Sequence, residues 1–174
     1  MSNKFEILMH QLDMPLEMRN SEAFLNADIE KVLVHKVSRV WEFHFSFANI
    51  LPIEIFRELQ KRLAQEFSKT GNQAIFEIHC QAPQVSDELL QAYYQLAFEE
   101  GPCASHGFKS LYQDLQVHLD GDKLLIEGAS TIDTEHFRKN HLPNLSRQLV
   151  KYGFPQLTCQ VQHSDELTQQ QAEN

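Results

Sequence analysis

The sequence lacks any run of about 18 apolar residues, so none of its segments could cross a bilayer as a helix. Met1-Ser2-Asn3-Lys4 leads into a polar and apolar mixture instead of the apolar stretch of a signal peptide. The three cysteines, Cys80, Cys103 and Cys159, are far apart and odd in number. This pattern argues against a disulfide framework and favours a reducing compartment. We therefore expect a cytoplasmic protein without membrane contact.

Motifs for catalysis and for phosphate or metal binding are also missing. The six glycines form neither GxGxxG nor GxxxxGK, and GxSxG, CxxC and Cys/His clusters are absent. Cys103 lies three residues before His106. We interpret this proximity as a coincidence, because a catalytic Cys/His pair needs a cleft and an activated thiolate rather than adjacency in sequence. We expect no cofactor and no metal, and we do not expect the chain itself to be an enzyme.

The negative net charge is concentrated in the second half. Residues 1–80 hold 9 Lys and Arg against 11 Asp and Glu, whereas residues 81–174 hold 6 against 13. An acidic surface disfavours binding to nucleic acid phosphates, because that binding needs positive charge. Only the first half is neutral enough for a local basic patch.

The first half predicts helices followed by the order β-β-α-β. The predicted elements are helices over Phe5–Leu12 and from Asn20 or Ser21 to about Asn26, strands over Lys31–Val37 and Val40–Phe47, a helix from Pro52 to about Thr70 ended by Gly71, and a strand over Ala74–Cys80. Ser38-Arg39 lies between the first two strands, which predicts an antiparallel hairpin. Strict alternation in the second strand puts four aromatic side chains on one face, which we interpret as core: Trp41, Phe43, Phe45 and Phe47.

The second half predicts the order α-α-β-β-α-β. The predicted elements are a helix capped by Ser86 and ending near Glu100, a helix around Phe108–Leu115, strands at 115–119 and 123–127 joined by Asp120-Gly121, a helix from Asp133 or Thr134 to about Tyr152, and a last strand at 157–161. Pro143 is expected to kink or divide the last helix. The fold class is therefore α+β, with two small sandwiched domains at 1–81 and 82–163 and a polar linker beginning at 164–174.

One hairpin carries the only positive functional signal. His35, Lys36, Arg39 and His44 lie on or near it and form the candidate patch for a protein or nucleic acid partner. His35 and His44 could lie close together across the two strands. No carboxylate or cysteine at ligand spacing completes a metal site, so we interpret both as solvent-facing strand residues.

The run Ile29 to Phe56 resembles the N-terminal region of the replicative DNA polymerase III α subunit, PolC type. The matching pattern is "HK-S--W-FHF" followed by "LP" and a helix. In this chain the pattern is carried by His35, Lys36, Ser38, Trp41, Phe43, His44, Phe45, Leu51 and Pro52. The resemblance continues through a helix opened by Val85-Ser86, "DGDKLLIEG", "DTE" at 133–135 and "YGFPQL" at 152–157. It covers nearly the whole chain.

The resemblance implies two N-terminal domains placed ahead of OB-fold, exonuclease and polymerase regions, none of whose motifs matches here. The longer protein would be a DNA-directed DNA polymerase with 3'-5' exonuclease activity. The first domain is similar to the polymerase-binding C-terminal module of the clamp loader's tau subunit, which has a truncated KH-like fold. We expect a monomer that links the polymerase to a replisome partner, with tau the leading candidate. The alternative is a module that binds single-stranded or primer–template nucleic acid through the basic hairpin.

Overall fold

The chain forms two compact units, each mixed α and β. The computed structural model describes residues 1–101, 103–104, 109, 112–129, 138–139 and 141–163. Met1–Gln84 and Lys151–Gly153 form the first unit, and Val85–Val150 and Phe154–Asn174 form the second. In the described part each unit contains a three-stranded sheet, which confirms the predicted α+β class. The predicted linker at 164–174 lies outside the described residues.

The first unit places a β-β-α-β segment after short helices. Its elements are α1 (Asn3–Gln11), α2 (Leu16–Arg19), a 3-10 helix (Glu22–Phe24), β1 (Asp28–His35), β2 (Val40–Phe47), α3 (Ile53–Ser68) and β3 (Gln73–Cys80). The sheet order is β1-β2-β3, with β1 antiparallel and β3 parallel to β2. β2 is therefore the central strand of this sheet.

The short helices differ from the prediction. Ser21 is a cap, since its hydroxyl accepts a hydrogen bond from the Ala23 N–H, but it opens only a three-residue 3-10 helix. The expected helix to Asn26 is therefore wrong. The sequence patterns did not predict the preceding α2. Pro15 lies just before its first helical residue, where the fixed φ and missing N–H of proline are compatible with helix initiation.

The aromatic face of β2 is the core of the first unit. Phe43, Phe45 and Phe47 are buried, while Trp41 at the end of the strand is half-buried. The Phe5 ring of α1 meets Phe45 and Phe47 edge-on at centroid distances of 5.7 and 5.6 Å. The alternation therefore predicted the buried face of this sheet correctly, and aromatic packing joins α1 to it.

The hairpin loop is longer than predicted. β1 ends at His35, which pairs with Val40, so the loop comprises residues 36–39. Val37, predicted to belong to the strand, lies in this loop with a relative exposure of 102%. Arg39 takes a φ of 57°, a left-handed conformation that turns the chain into β2.

The second unit has the same sheet order and strand directions. Its regular elements among the described residues are α4 (Asp87–Glu100), β4 (Gln116–Asp120), β5 (Lys123–Ala129), α5 (Leu142–Lys151) and β6 (Thr158–His163). β4 and β5 are antiparallel, and β6 is parallel to β5. Ser86 caps α4 as predicted, accepting from the Leu89 N–H at 3.1 Å.

Two local expectations in the second unit are refined. Asp120 pairs with Lys123, so the hairpin turn consists of Gly121 and Asp122 rather than Asp120-Gly121. Gly121 takes a φ of 62°, which glycine adopts without strain. Pro143 lies in the first turn of α5, after the turn residue His141, so the helical region is divided there. The predicted start at 133–134 and residues 108, 110 and 111 of the helix predicted around Phe108–Leu115 lie outside the described residues.

Candidate functional site

The first hairpin exposes one continuous stretch, residues 31–39, which we call the edge segment. Every residue from Lys31 to Arg39 is exposed. The segment contains Lys31, Lys36 and Arg39 and no Asp or Glu, in a chain with a formal net charge of −9. It is therefore a local cationic surface on an acidic protein.

Three of the four candidate residues lie in the edge segment. His35 ends β1, and Lys36 and Arg39 begin and end the loop. The Arg39 carbonyl accepts a hydrogen bond from the Gln73 N–H at 2.9 Å, which ties the loop to the start of β3. One guanidinium nitrogen of Arg39 lies 3.1 Å from the position of a Cβ built on Gly71, so this side chain leans towards the α3–β3 connection. Arg39 therefore holds the loop in place and also adds a positive charge to it.

His44 lies apart from the other three candidates. Its strand partner is Lys31, not His35. His35 pairs with Val40, which lies four positions before His44 along the extended strand, about 13 Å away. His44 Nε2 lies 2.8 Å from Glu42 Oε2, and His44 Nδ1 lies 3.8 Å from Glu77 Oε2. The suggested closeness of His35 and His44 is wrong, because the long loop shifts the register. His44 belongs to a polar cluster on the sheet face opposite the core.

Sequence reasoning missed the apolar part of the edge segment. Val32, Leu33 and Val34 are 37%, 39% and 45% exposed, and the Val37 side chain is fully exposed at the loop. Successive residues of a strand point to opposite faces, so three apolar residues in a row place aliphatic surface on both sides of β1. That run was the available signal, because a strand with one buried and one solvated face would alternate instead.

The aromatic residues of the hairpin are not available for stacking on bases. The edge segment contains no aromatic residue other than His35. Trp41, the least buried of the four strand aromatics, packs on Phe67 of α3 at a centroid distance of 5.2 Å. The exposed chemistry of the hairpin is therefore aliphatic and cationic, without the Phe, Tyr or Trp platform that single-strand binders commonly use.

The cysteines lack the properties of catalytic thiols. Cys103 is fully buried, and its Sγ lies 3.6 Å from the His141 carbonyl oxygen. Burial raises the pKa of Cys103 and of Cys80 to about 11, and burial is also the main cause that raises the pKa of Cys159 to about 12. Thiols with such pKa values are almost wholly protonated at neutral pH and are poor nucleophiles. His106 lies outside the described residues.

Neither metal binding nor membrane insertion receives support from the described part of the chain. Among those residues, no group of three or more His, Cys, Asp or Glu side chains is placed to hold a metal ion. Helices of the length and apolarity needed to cross a membrane are likewise absent from the ranges described above.

The two α+β units correspond to two known domain families. The family described as DNA polymerase III polC-type N-terminus I matches residues 4–78, and the one described as DNA polymerase III polC-type N-terminus II matches residues 92–174. The chain therefore belongs to the PolC-type DNA polymerase III family, whose N-terminal domains it carries.

Curated relatives agree with this assignment. The chain is 97% identical over its whole length to DNA polymerase III PolC-type of Streptococcus sanguinis strain SK36. It is 64% identical over 99% of its length to that of Streptococcus pneumoniae serotype 2, and 49% identical over 97% to that of Streptococcus pyogenes serotype M5. It spans 12% of the length of each of these relatives. No solved structure gives a significant match.

Proposed function

We propose that this chain is a non-catalytic protein-interaction module of a PolC-type replicative DNA polymerase. In this role it acts in the cytoplasm during DNA replication and links the polymerase to the replisome. The tau subunit of the clamp loader is the leading partner, because the resemblance described above implies that this region is a replisome contact. Polymerase and exonuclease activities would belong to other regions of the longer protein.

The observation that carries the proposal is the composition of the edge segment. Exposed aliphatic side chains at Val32, Leu33, Val34 and Val37 adjoin cationic ones in a nine-residue stretch that has no carboxylate. A fully exposed valine gains free energy by burial against apolar protein surface, whereas DNA phosphates offer it little. Clustered exposed apolar residues with polar neighbours are typical of protein contact sites.

Calorimetric titration of the 174-residue chain with the purified C-terminal region of tau tests this proposal. We expect saturable binding that Lys36→Glu weakens by about fivefold, since charge reversal at the rim of an interface chiefly slows association. Lys123→Glu is the matched control, because Lys123 is an exposed lysine at the start of β5 in the second unit. It should leave the affinity unchanged. The absence of both heat and NMR shifts at high micromolar concentrations would contradict the tau proposal.

The second candidate is a nucleic acid-binding module acting through the same hairpin. The three cations of the edge segment favour it, and the absence of an exposed Phe, Tyr or Trp there weighs against it. It predicts binding to single-stranded or primer–template DNA that weakens steeply with salt. Fluorescence anisotropy of a labelled oligonucleotide at low salt decides the matter. A rise that Lys36→Glu abolishes and Lys123→Glu preserves supports nucleic acid binding, and a flat signal with the chain in large excess removes it.

A further inference from the structure

The two sheets differ in whether the outer backbone groups of their first strands, β1 and β4, have hydrogen-bond partners. An edge strand presents unpaired backbone N–H and C=O groups, which need a partner or solvent. In the second unit, side chains of α4 form hydrogen bonds with those backbone groups at the β4 edge. The Val117 N–H donates to Gln91 Oε1 and the Leu119 N–H to Asp87 Oδ1, each at 2.9 Å. Gln91 Nε2 also donates to the Leu115 carbonyl at 2.9 Å. This edge is closed to a further strand.

The corresponding edge of β1 is open from Val32 onwards, apart from the carbonyl of His35, which accepts a hydrogen bond from the loop hydroxyl of Ser38 at 3.5 Å. In the part of the chain that the structure describes, the sheet ends at β1, and no hydrogen bond from outside the sheet reaches the backbone of Val32, Leu33 or Val34. The first part of the strand is different. The preceding residue Ala27 accepts from the Ser2 N–H, and the register shifts between Ile29 and Lys31. Such bulges, and lysine on an edge, deter strand pairing, so the accessible stretch begins beyond Lys31.

The charges around this open stretch indicate what kind of segment could bind to it. Lys31 lies at one end of Val32–His35, and Lys36 and Arg39 lie beyond the other. No carboxylate occurs between residues 31 and 39, although the chain as a whole is acidic. A segment bearing carboxylates is therefore attracted to this edge, while a second copy of this acidic chain is repelled overall.

We propose that the open edge of β1, at Val32–His35, takes a fourth strand from a protein partner, an extended segment that combines aliphatic and acidic residues. Main-chain hydrogen bonds to the edge supply affinity, as in other cases of strand addition. Aliphatic side chains of the partner cover Val32 and Val34 on one face and Leu33 on the other. Its carboxylates approach Lys31 and Lys36. The inference rests on the proposed function, because it assumes that the partner is a protein.

Amide hydrogen exchange followed by NMR tests this mode, with the C-terminal region of tau as the probe. In the free chain, the N–H groups of alternate residues within Val32–His35 face outward and should exchange quickly. Saturation with the probe should slow that alternate set by about tenfold or more, because each N–H gains a carbonyl partner. The amides of Val117 and Leu119 serve as internal controls, since α4 already occupies them, and their rates should not change.

Three substitutions separate strand addition from other effects. Val34→Asp puts a carboxylate at the edge and should lower affinity by about tenfold through repulsion of the acidic partner and loss of apolar contact. Val150→Asp is its control, because Val150 is similarly exposed, at 41% against 45%, but lies on α5. Val37→Asp gives an independent test at a fully exposed loop position where folding is not at risk. Thermal melts of all three variants verify that they are folded.

Each outcome decides the inference. Slowed exchange in an alternate pattern at Val32–His35, lost in Val34→Asp and Val37→Asp, supports it. Binding of the probe with protection elsewhere overturns strand addition and leaves the proposed function standing. No binding of the probe overturns both the strand addition and the proposed link to tau. Protection of β1 that rises with concentration of the chain alone identifies a second copy as the occupant, and protection caused by an oligonucleotide identifies nucleic acid. Either result contradicts the acidic protein segment proposed here.

Discussion

The first and second sheets share a strand order and strand directions but differ at their edges. β1 and β4 are each antiparallel to a central strand, which in turn pairs in parallel with the last strand. β4 has five residues, and its backbone is bonded to Asp87 and Gln91 of α4. β1 has eight residues and no such cover beyond Lys31 in the described part of the chain. One topology can therefore present either a closed or an open edge, depending on what lies against the edge strand.

The hairpin loops reinforce this difference. The β4–β5 hairpin turns through Gly121 and Asp122 alone, whereas the β1–β2 hairpin uses four residues and exposes Val37 completely. A two-residue turn is the commonest way to join antiparallel strands, so the longer loop carries side chains that the fold does not require. The longer loop and the fully exposed side chain of Val37 are therefore not needed to join β1 to β2.

Removing a core ring of the first sheet should have the largest effect on stability. Phe45 is fully buried, and its ring lies 5.7 Å from those of Phe5 and Phe43 and 5.4 Å from that of Phe76. We expect Phe45→Ala to lower the free energy of unfolding by about 4 kcal/mol, through lost burial and the cavity left behind. Urea denaturation followed by far-UV circular dichroism measures this. A loss below about 1 kcal/mol would contradict the assignment of this face as core.

Removing the hydrogen bonds that close the edge of β4 should have the next largest effect on stability. Gln91→Ala removes two hydrogen bonds and leaves the Val117 N–H and the Leu115 carbonyl without their partner. We expect a loss of about 2 kcal/mol in unfolding free energy and faster exchange of the Val117 amide. Gln95→Ala, one turn along the same helix, is the control and should change both quantities much less. Equal effects of the two substitutions would sink the idea that Gln91 closes this edge.

Acid should weaken the first unit through Glu58. The Arg62 guanidinium, hydrogen-bonded to Glu58, holds the pKa of that carboxyl below its ordinary value of 4.5. A carboxyl whose pKa is lowered by folding stabilises the folded state above its unfolded pKa, and the contribution is lost as the pH falls through the folded value. We therefore expect Glu58→Gln to be less stable than the unmodified chain at neutral pH, by a small margin because the pair is near the surface. The difference should shrink as the pH falls below 4.5 and vanish once the pH is below the lowered pKa of the folded state. Thermal melts across this range measure it, and a difference that persists in acid would contradict the assignment.

Shortening the exposed side chain of Val37 in the hairpin loop should change stability least. Val37→Ala removes two methyl groups that contact little, so unfolding free energy should move by less than about 0.5 kcal/mol. If the edge segment is the contact surface, the same substitution should weaken partner binding measurably, since the complex would bury those methyl groups. Calorimetry and urea denaturation on one preparation give both numbers. A stable variant with full affinity would remove Val37 from the contact surface.

Local patterns in the sequence predicted much of the fold. Alternation in β2 identified Phe43, Phe45 and Phe47 as buried, and Ser86 was recognised as a helix cap. These features depend on neighbours in the chain. The loop length was missed because Val37 has the same β propensity as the strand residues before it. Propensity alone therefore does not locate the end of β1.

The candidate site was only partly predictable, because it depends on residues distant in sequence. The surroundings of His44 include Glu77 from β3. The pairing of β2 with β3 places Glu77 directly beside His44. The openness of the β1 edge follows from the absence of any outer hydrogen-bond partner for it in the described part of the chain, and the closure of β4 follows from Gln91 on another element. Residue patterns within a strand do not reveal what lies beside it.

Mapping the interface by NMR shows whether the edge segment is the contact surface of a protein-interaction module. Two-dimensional 1H–15N spectra of the 174-residue chain are recorded during titration with the C-terminal region of tau. A contact surface at the edge segment should give saturable changes concentrated on residues 31–39 and the neighbouring positions of β2, with Val117 and Leu119 unmoved. Changes concentrated on the β4 edge, or no changes at high micromolar concentrations, would contradict it.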